Sequence, residues 1–407
     1  MKLSPRALAL ALAPGTLLAG IAGGIVFPIF PIAGKEAHLS EWFIGVILAA
    51  NRAARVVLAP VAGIMADRIG GRRTMLGGLV VQVFVIGLYL VGLVLHEEGA
   101  AFLGGRLLHG LGSACVFVAA QALSLQAATT NNRGAAVSAV RVAIVIGVPI
   151  GFVVGGLLAI AVGDVWTFAI AGVAVVVALA GATWTVPDLR APVRRRATIR
   201  ESIGAMRDKR LFAIGGLNFA LSFAAGGMVL STLAFLVEDR HLVLFGLAVQ
   251  GTAGILMAVL SITDAMFTPV AGRLGDRFRG HALVASAGCV LTAAGLAVIG
   301  FAGGLGGSIV GIAIVGLGGA ALGPSVLVLL GAIVPPELRG AGTGFLQLCG
   351  DLGGMLGPLV GTALFASSTT VPYLIAAGVV ACFLPLALWL ARLERAQNQE
   401  AAAGTAG

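Results

Sequence analysis

The sequence predicts an all-α polytopic membrane protein with twelve transmembrane helices, arranged as two parallel-related six-helix bundles. Three observations lead to this prediction. The 407-residue chain is 59% hydrophobic and only 11% charged, whereas charged residues make up about a quarter of a soluble domain. The chain contains twelve long apolar runs, each of roughly twenty residues or more, which is enough to cross a bilayer as a helix. Its two halves also repeat one another in the same orientation.

The apolar runs are predicted to be helices because backbone polar groups in hydrocarbon must form hydrogen bonds within their own segment. The first run is too long to be a cleavable signal, and eleven more follow it. The predicted spans are 7–33, 41–66, 74–95, 100–124, 134–162, 164–186, 211–237, 244–272, 282–303, 306–333, 340–366 and 371–391.

The charged residues are distributed unequally between the two sides that twelve spans define. The net charge is +9, and most lysines and arginines fall on the side that holds both termini. Acids such as Glu97, Glu98 and Asp164 fall on the opposite side. Because cytoplasmic loops are enriched in lysine and arginine, both termini are expected in the cytoplasm and the protein in the cytoplasmic (inner) membrane. The basic side would contact anionic membrane lipid, and this distribution argues against nucleic-acid binding.

An internal repeat relates the two halves of the chain. The offset that relates Arg133 to Arg339 also pairs three glycines of span five with glycines of span eleven: Gly147 with Gly353, Gly151 with Gly357 and Gly155 with Gly361. Six spans are therefore repeated in the same orientation, and a monomer is expected because one chain carries both halves. The predicted organisation is an N-terminal bundle at 1–186, a basic cytoplasmic linker at 187–210, a C-terminal bundle at 211–391 and a disordered cytoplasmic tail at 392–407.

Charge is concentrated in GIMADRIGGRR at 63–73, between spans two and three, and in a looser copy at 271–280. The first copy resembles the G-x-x-x-D-R-x-G-R-R signature of the major facilitator superfamily, with one extra glycine. The resemblance covers the whole chain and implies two halves that rock about a central cavity. A conformational gate on the cytoplasmic side is expected, with membrane anchoring by arginines as the alternative. The gate residues are Gly63, Asp67, Arg68, Arg72, Arg73, Asp276 and Arg277.

The fifth span contains a second recognisable stretch, GVPIGFVVGG at 147–156. It resembles the G-P-x-x-G-G motif of the superfamily's drug:proton antiporters, with a longer spacing. The resemblance implies export and a joint that seals the cavity against proton leak. Glycines four apart also form a smooth face and proline bends a helix, so close packing without a transport role is the alternative. The motif residues are Gly147, Pro149, Gly151, Gly155 and Gly156.

The fourth span contains GRLLHGLGSA at 105–114, which resembles the antiporter segment where an intramembrane arginine is linked to proton transfer. Arg106 is the matching residue. His109 follows about one turn later on the same helix face and is a candidate proton relay, the alternative being a packed, hydrogen-bonded histidine. No loop of the Walker type is present, so protons rather than ATP are expected to supply the energy, with no cofactor.

Two acids lie inside predicted spans of the C-terminal half, Asp264 in span eight and Asp351 in span eleven. Ionisable residues within hydrocarbon are costly and mark function by default. Asp351 lies near the middle of its span among glycines and is the preferred proton carrier. The alternative for each acid is a structural ion pair with an intramembrane arginine.

The N-terminal half instead carries intramembrane arginines, and its first span contains no acid. Guanidinium groups hold carboxylate and phosphate bidentately, so an anionic head group is one possible substrate feature. Phenylalanines near them would line an apolar path, although many such side chains simply face lipid. The candidate substrate-binding residues are Arg52, Arg55, Arg141, Phe27, Phe30 and Gln347.

The functional prediction is therefore a proton-coupled secondary transporter that exports a small amphipathic compound by alternating access. The second interpretation is a symporter or facilitator for an anionic metabolite or lipid-like substrate. A non-transporting membrane sensor is a third, minor interpretation, and it would normally carry a soluble domain. An enzyme and a metal site are not expected, because no nucleophile–base pair and no cluster with metal-ligand spacing occurs in the sequence.

Overall fold

A computed structural model of the chain describes residues 5–127, 133–188, 208–335 and 338–404. These residues form helices and turns, with no strand among them. Residues 189–207 of the predicted linker and residues 405–407 of the predicted tail lie outside this described part. The helices are α1 (Pro5–Glu36), α2 (Glu41–Arg68), α3 (Gly71–Leu95), α4 (Glu98–Ala127), α5 (Arg133–Val162), α6 (Asp164–Thr185), α7 (Lys209–Leu221), a π-helix (Ser222–Val229), α8 (Leu230–Asp239), α9 (Val249–Phe278), α10 (His281–Phe301), α11 (Leu305–Ile333), α12 (Arg339–Phe365) and α13 (Val371–Gly404).

The described residues contain eleven helical segments that are long and apolar enough to cross a membrane. One of them joins α7, the π-helix and α8 into a single segment, Lys209–Asp239. The predicted fifth span corresponds to α5, in which the described apolar stretch is the shorter Ile146–Val162. The chain is thus an all-helical, multi-pass membrane protein over the residues that the structure describes.

The tight connection between α2 and α3 explains the extra glycine of the first charged motif. Gly70 has φ +94°, a conformation that favours glycine. A Cβ atom on the next residue, Gly71, would lie 2.7 Å from a side-chain carbon of Leu123 in α4. Both glycines of IGGRR therefore have a structural reason, one in the turn and one in helix packing.

The structure divides into two compact units. The first comprises Met1–Arg194 and Val243–Ala258, and the second comprises Arg195–Leu242 and Val259–Gly407. The sequence places 243–258 in the C-terminal bundle, whereas these residues cluster with the first unit. In that unit the start of α9 packs on α5, because glycines let the two backbones approach closely: a Cβ at Gly156 would clash with the carbonyl oxygen of Gln250.

The second unit contains the interrupted segment Lys209–Asp239, whose central turns are wider than an α-helix. The π-helix packs against α12, where a Cβ at Gly357 would lie 2.6 Å from the Cα of Gly227. A Cβ at Gly353 would clash with the carbonyl oxygen of Phe219. Because π-turns are rare and occur frequently at functional sites, the contact between the π-helix and α12 is a region of interest.

The last helix continues to Gly404, whereas the sequence predicts a disordered tail from residue 392. Side chains from this extension hold it to the turn before α10. The carboxylate of Glu394 accepts hydrogen bonds from the backbone N–H of His281 (3.0 Å) and of Ala282 (2.9 Å). Asn398 Nδ2 donates to the carbonyl oxygen of Arg279 at 2.7 Å. These contacts cap α10 and give the extension a binding partner, which composition does not reveal.

The start of α7 has its own cap, just after the predicted linker. Asp208 is the N-cap residue, and its side chain accepts from the backbone N–H of Arg210 at 2.8 Å. The Arg210 guanidinium donates to the same carboxylate at 2.7 Å. These hydrogen bonds from Arg210 lower the pKa of the Asp208 carboxyl.

Candidate functional site

The first unit contains a basic cluster between α2 and α4, made of Arg52, Arg55, Arg106 and His109. The α2 positions 48, 51, 52 and 55 share one helix face, and α4 presents Arg106 and His109 towards it. Nη2 of Arg106 donates to the carbonyl oxygen of Leu48 at 2.9 Å. His109 interacts electrostatically with Arg106 and Arg55. The structure therefore brings four of the predicted site residues together.

Arg106 is 3% exposed and is held on two sides. Besides its hydrogen bond to Leu48, its guanidinium carbon lies 5.4 Å from the ring centroid of Phe27 in α1, within cation–π range. His109 reaches the same helix, because a Cβ at Gly23 would lie 3.4 Å from its Nε2 atom. Helices α1, α2 and α4 thus all contribute to the basic cluster.

Among the buried nitrogen atoms of this region, Nε of Arg106 and Nδ2 of Asn51 have no hydrogen-bond acceptor at ordinary distance within the described part of the chain, and Asn51 is 8% exposed. The guanidinium of Arg106 also interacts with the side chain of Tyr89. Asn51 was not among the sequence candidates, although it precedes Arg52 in NRAARVV. Since a buried donor without an acceptor is costly, these atoms favour a ligand that accepts hydrogen bonds.

The two predicted phenylalanines have different surroundings. Phe27 is half-buried beside Arg106, with Phe152 at a centroid distance of 5.8 Å. Phe30 is 1% exposed and stacks on Phe102 at 3.9 Å between centroids. Phe30 therefore belongs to the core of the first unit, together with Tyr89, and we leave it out of the proposed site. The side chain of Arg141 lies outside the described residues.

The second unit contains the two predicted acids. Asp351 in α12 is 2% exposed. Its Oδ2 atom accepts a hydrogen bond from Nε2 of Gln347, one turn earlier, at 3.1 Å. The neighbouring Gly350 faces α7 and the π-helix, since a Cβ there would lie 2.7 Å from Nδ2 of Asn218 and 3.2 Å from Oγ of Ser222. Asp351 thus lies at the contact between α12 and the interrupted segment.

Asp264 in α9 is half-buried. Its Oδ1 atom accepts from the hydroxyl of Thr268 at 3.4 Å. A Cβ at Gly319 in α11 would lie 3.6 Å from the same carboxylate. Asp264 therefore faces α11 at a position where a glycine leaves room beside it.

The gate residues lie at helix ends. Asp67 and Arg68 end α2 and are exposed. Arg72 donates to the carbonyl oxygen of Thr183 in α6. In the second copy, Asp276 is exposed and its Oδ1 lies 3.1 Å from Nε2 of His281, while Arg277 is exposed. A Cβ at Gly63 would meet none of the described atoms within 4 Å, so no described neighbour packs closely on this glycine.

The glycine motif of α5 lies directly against α1. A Cβ at Gly147 would lie 3.2 Å from the Cα of Gly20, and one at Gly151 would lie 2.9 Å from the Cα of Gly24. A Cβ at Gly155 would lie 2.8 Å from the Cα of Ile25. The motif therefore packs two helix backbones against each other over two turns.

Comparison with known proteins identifies the class of this chain. The sequence model of the Major Facilitator Superfamily matches residues 12–251 and 217–406. The chain belongs to the Major Facilitator Superfamily. An uncharacterized MFS-type transporter of Salmonella typhimurium is 26% identical over 353 residues, which cover 83% of this chain and 84% of the relative. The family and this relative support transmembrane transport and give no reason to expect an enzyme.

Solved structures share the superfamily fold with this chain. The human organic anion transporter MFSD10 (TETRAN) matches with a TM-score of 0.70 and 18% identity, covering 95% of this chain and 100% of that one. A bacterial homolog of the human lysosomal transporter Spinster, in an inward-facing and unoccupied conformation, matches with a TM-score of 0.75 and 15% identity, and the match covers 97% of each chain. A point mutant of the nucleoside transporter NupG matches with a TM-score of 0.74 and 16% identity, and the match covers 96% of this chain and 99% of that one. At these identities the likeness shows the fold alone.

Proposed function

We propose that this transporter is a proton-coupled antiporter that exports a small amphipathic compound by alternating access. The observation that carries the proposal is the carboxyl group of Asp351, 2% exposed inside a membrane-spanning helix and hydrogen-bonded to the neutral amide of Gln347. An acid in this place can hold a proton where water is scarce, and intramembrane acids of transporters commonly do so. Protonation would remove the negative charge and change which contacts α12 makes.

The position of Asp351 beside the π-helix supports a link between proton and conformation. The turns around Asn218 and Ser222 pack on the glycines next to Asp351. Short π-helical stretches inside α-helices occur frequently at functional sites. Asp264, and Arg106 with His109, are the further candidates for the proton path.

Export is inferred from the resemblance of the α5 glycines to the antiporter motif, and their contacts support a tight seal along α1. The charged motifs at 63–73 and 271–280, which contain Asp67–Arg68 and Asp276–Arg277, are proposed as the cytoplasmic gate. The charge distribution supports a cytoplasmic location for both termini. The proposed unit of function is the monomer in the inner membrane, with protons as coupling ion.

A panel assay in proteoliposomes tests this proposal. The purified protein is reconstituted with a pH dye inside, and cationic, neutral and anionic amphipaths are added outside in turn. At least one of these three classes of compound is expected to change the internal pH by more than it does in protein-free vesicles. Transport of a compound without proton movement would replace the antiporter proposal by a facilitator.

A second candidate function, transport of an anionic metabolite or lipid-like compound, is favoured by the basic cluster. Every Asp and Glu in helices α1 to α6 lies near a helix end, whereas Arg52, Arg55 and Arg106 lie in helix interiors. Nδ2 of Asn51 and Nε of Arg106, which have no acceptor at ordinary distance among the described residues, add donors to the same region. Guanidinium groups bind carboxylate or phosphate in a fixed geometry, so the cluster suits an anionic head group.

Exchanging Arg55 for glutamine is expected to raise the KM of an anionic substrate about tenfold or more, because a charge-assisted hydrogen bond contributes roughly that factor in affinity. Arg52→Gln is expected to act in the same direction. Initial rates of labelled substrate uptake into proteoliposomes measure the change, with Arg392→Gln at the exposed start of the tail as the matched control. Equal KM values in all three variants would remove the arginines from substrate binding.

A further inference from the structure

A groove in the second unit lies at the ends of its membrane-spanning helices, directly after Asp276 and Arg277 of the second charged motif. It is a cavity of about 400 Å³ between the turn that precedes α10 and the extension of α13. The groove is open on one side, and its lining combines apolar, basic and amide side chains. The residues used below are Phe278, Arg279, Leu283, Glu394, Arg395 and Asn398.

The carboxylate of Glu394 and the amide of Asn398 in this groove already form hydrogen bonds within the protein. Both carboxylate oxygens of Glu394 accept backbone N–H groups at the start of α10, at 3.0 and 2.9 Å. The amide of Asn398 donates to the carbonyl oxygen of Arg279 at 2.7 Å. Helix N-termini carry partial positive charge, so the negative charge of Glu394 is already compensated within the protein.

The guanidinium groups of the two arginines in the groove are available to bind a ligand. Arg279 and Arg395 are exposed, and their guanidinium groups form no hydrogen bond or ion pair with another residue in 5–127, 133–188, 208–335 or 338–404. Arg279 is fixed in place by its backbone, which adopts φ +46° and is tied to Asn398. The groove thus presents two positive charges beside a compensated acid.

Apolar side chains stand next to these charges. Phe278 is 65% exposed and Leu283 is 40% exposed. Both lie at the ends of segments that are apolar enough to cross a membrane, Val249–Phe278 and His281–Phe301. A ligand that touches all four side chains must be anionic at one end and apolar at the other, and must reach the protein at the membrane surface.

We propose that this groove binds the head group of an anionic phospholipid. The phosphate would lie between Arg279 and Arg395, as basic pockets on the cytoplasmic side of membrane proteins hold acidic lipids. The first acyl carbons would lie along Phe278 and Leu283, which covers apolar surface that otherwise faces the head-group region. A free phosphate ion would use the arginines but leave these two side chains uncovered.

The test measures lipid retention by the full-length protein. Protein in detergent is mixed with phosphatidylglycerol or with zwitterionic phosphatidylcholine, and bound lipid is counted by native mass spectrometry. The variant carries Arg279→Gln and Arg395→Gln, and the matched control carries Arg273→Gln and Arg392→Gln. Both variants lose the same charge, and the control residues are exposed and lie outside the groove.

Wild type and control are expected to retain phosphatidylglycerol. The groove variant is expected to retain at least about tenfold less of it, because charge-assisted hydrogen bonds are lost. Phosphatidylcholine should be retained poorly by all three. Equal retention by the groove variant and the control would overturn the proposal in favour of diffuse charge attraction. Complete displacement of the lipid by excess inorganic phosphate, with Phe278→Ala binding normally, would overturn the lipid assignment and leave an anion site.

Discussion

Exchanging Asp351 for asparagine is expected to abolish substrate-driven proton movement while substrate exchange continues. The asparagine side chain has nearly the same shape, and its oxygen can still accept the hydrogen bond that Gln347 donates at 3.1 Å. It has no carboxyl group, so it can neither take up nor release a proton. The loss should therefore concern coupling rather than folding or substrate binding.

Two assays on the same vesicles separate these effects. Internal pH reports proton movement, and counterflow of labelled substrate reports exchange. In Asp351→Asn the pH signal should fall to that of protein-free vesicles while counterflow keeps its order of magnitude. Asp239→Asn, at an exposed helix end, is the matched control and should retain both. A full pH signal from Asp351→Asn would show that protons take another path, for which Asp264 is the next candidate.

Introducing leucine at Gly151 is expected to prevent stable folding. Even a Cβ atom would clash with the carbonyl oxygen of Ile21 and lie 2.9 Å from the Cα of Gly24. Neither backbone can move aside without separating α5 from α1, and overpacking typically costs about 1–3 kcal/mol, and more where backbone atoms block the new side chain. The melting temperature in detergent and the monodisperse fraction in size-exclusion chromatography measure the effect.

Gly87→Leu is the matched control for this change. A Cβ at Gly87, in the membrane helix α3, would meet no described atom within 4 Å. Its melting temperature should stay near that of the wild type. Similar melting curves for Gly151→Leu and Gly87→Leu would contradict the close α1–α5 packing.

Much of the fold follows from the sequence because hydrophobic length fixes where helices can cross a membrane. The predicted spans agree with the observed helices within a few residues at most ends. Helical periodicity also places Arg52 and Arg55 on one face of α2, and Arg106 and His109 on one face of α4. The structure brings these two helix faces together. Residues three or four apart on a helix are neighbours whatever the tertiary fold, which is why this part was predictable.

Other features depend on contacts between distant segments. The stability of the C-terminal extension depends on Glu394 and Asn398 meeting the turn before α10, which polar composition alone reads as disorder. The π-helix Ser222–Val229 has no hydropathy signal, since its residues are as apolar as any span. As an apolar side chain near the arginines, Phe30 is a candidate for the lining of the path, and only its contacts with Phe102 and Tyr89 show that it is in the core.

The most direct test of the account is whether a pH gradient alone drives the compound uphill. Vesicles containing the protein are loaded with equal substrate on both sides, and a pH jump is imposed while labelled substrate is followed. The account predicts accumulation against the substrate gradient on the side of higher proton concentration, collapse of that accumulation with a protonophore, and none in Asp351→Asn. Equal substrate concentrations on both sides, maintained throughout the pH jump in the wild type, would contradict proton-coupled transport.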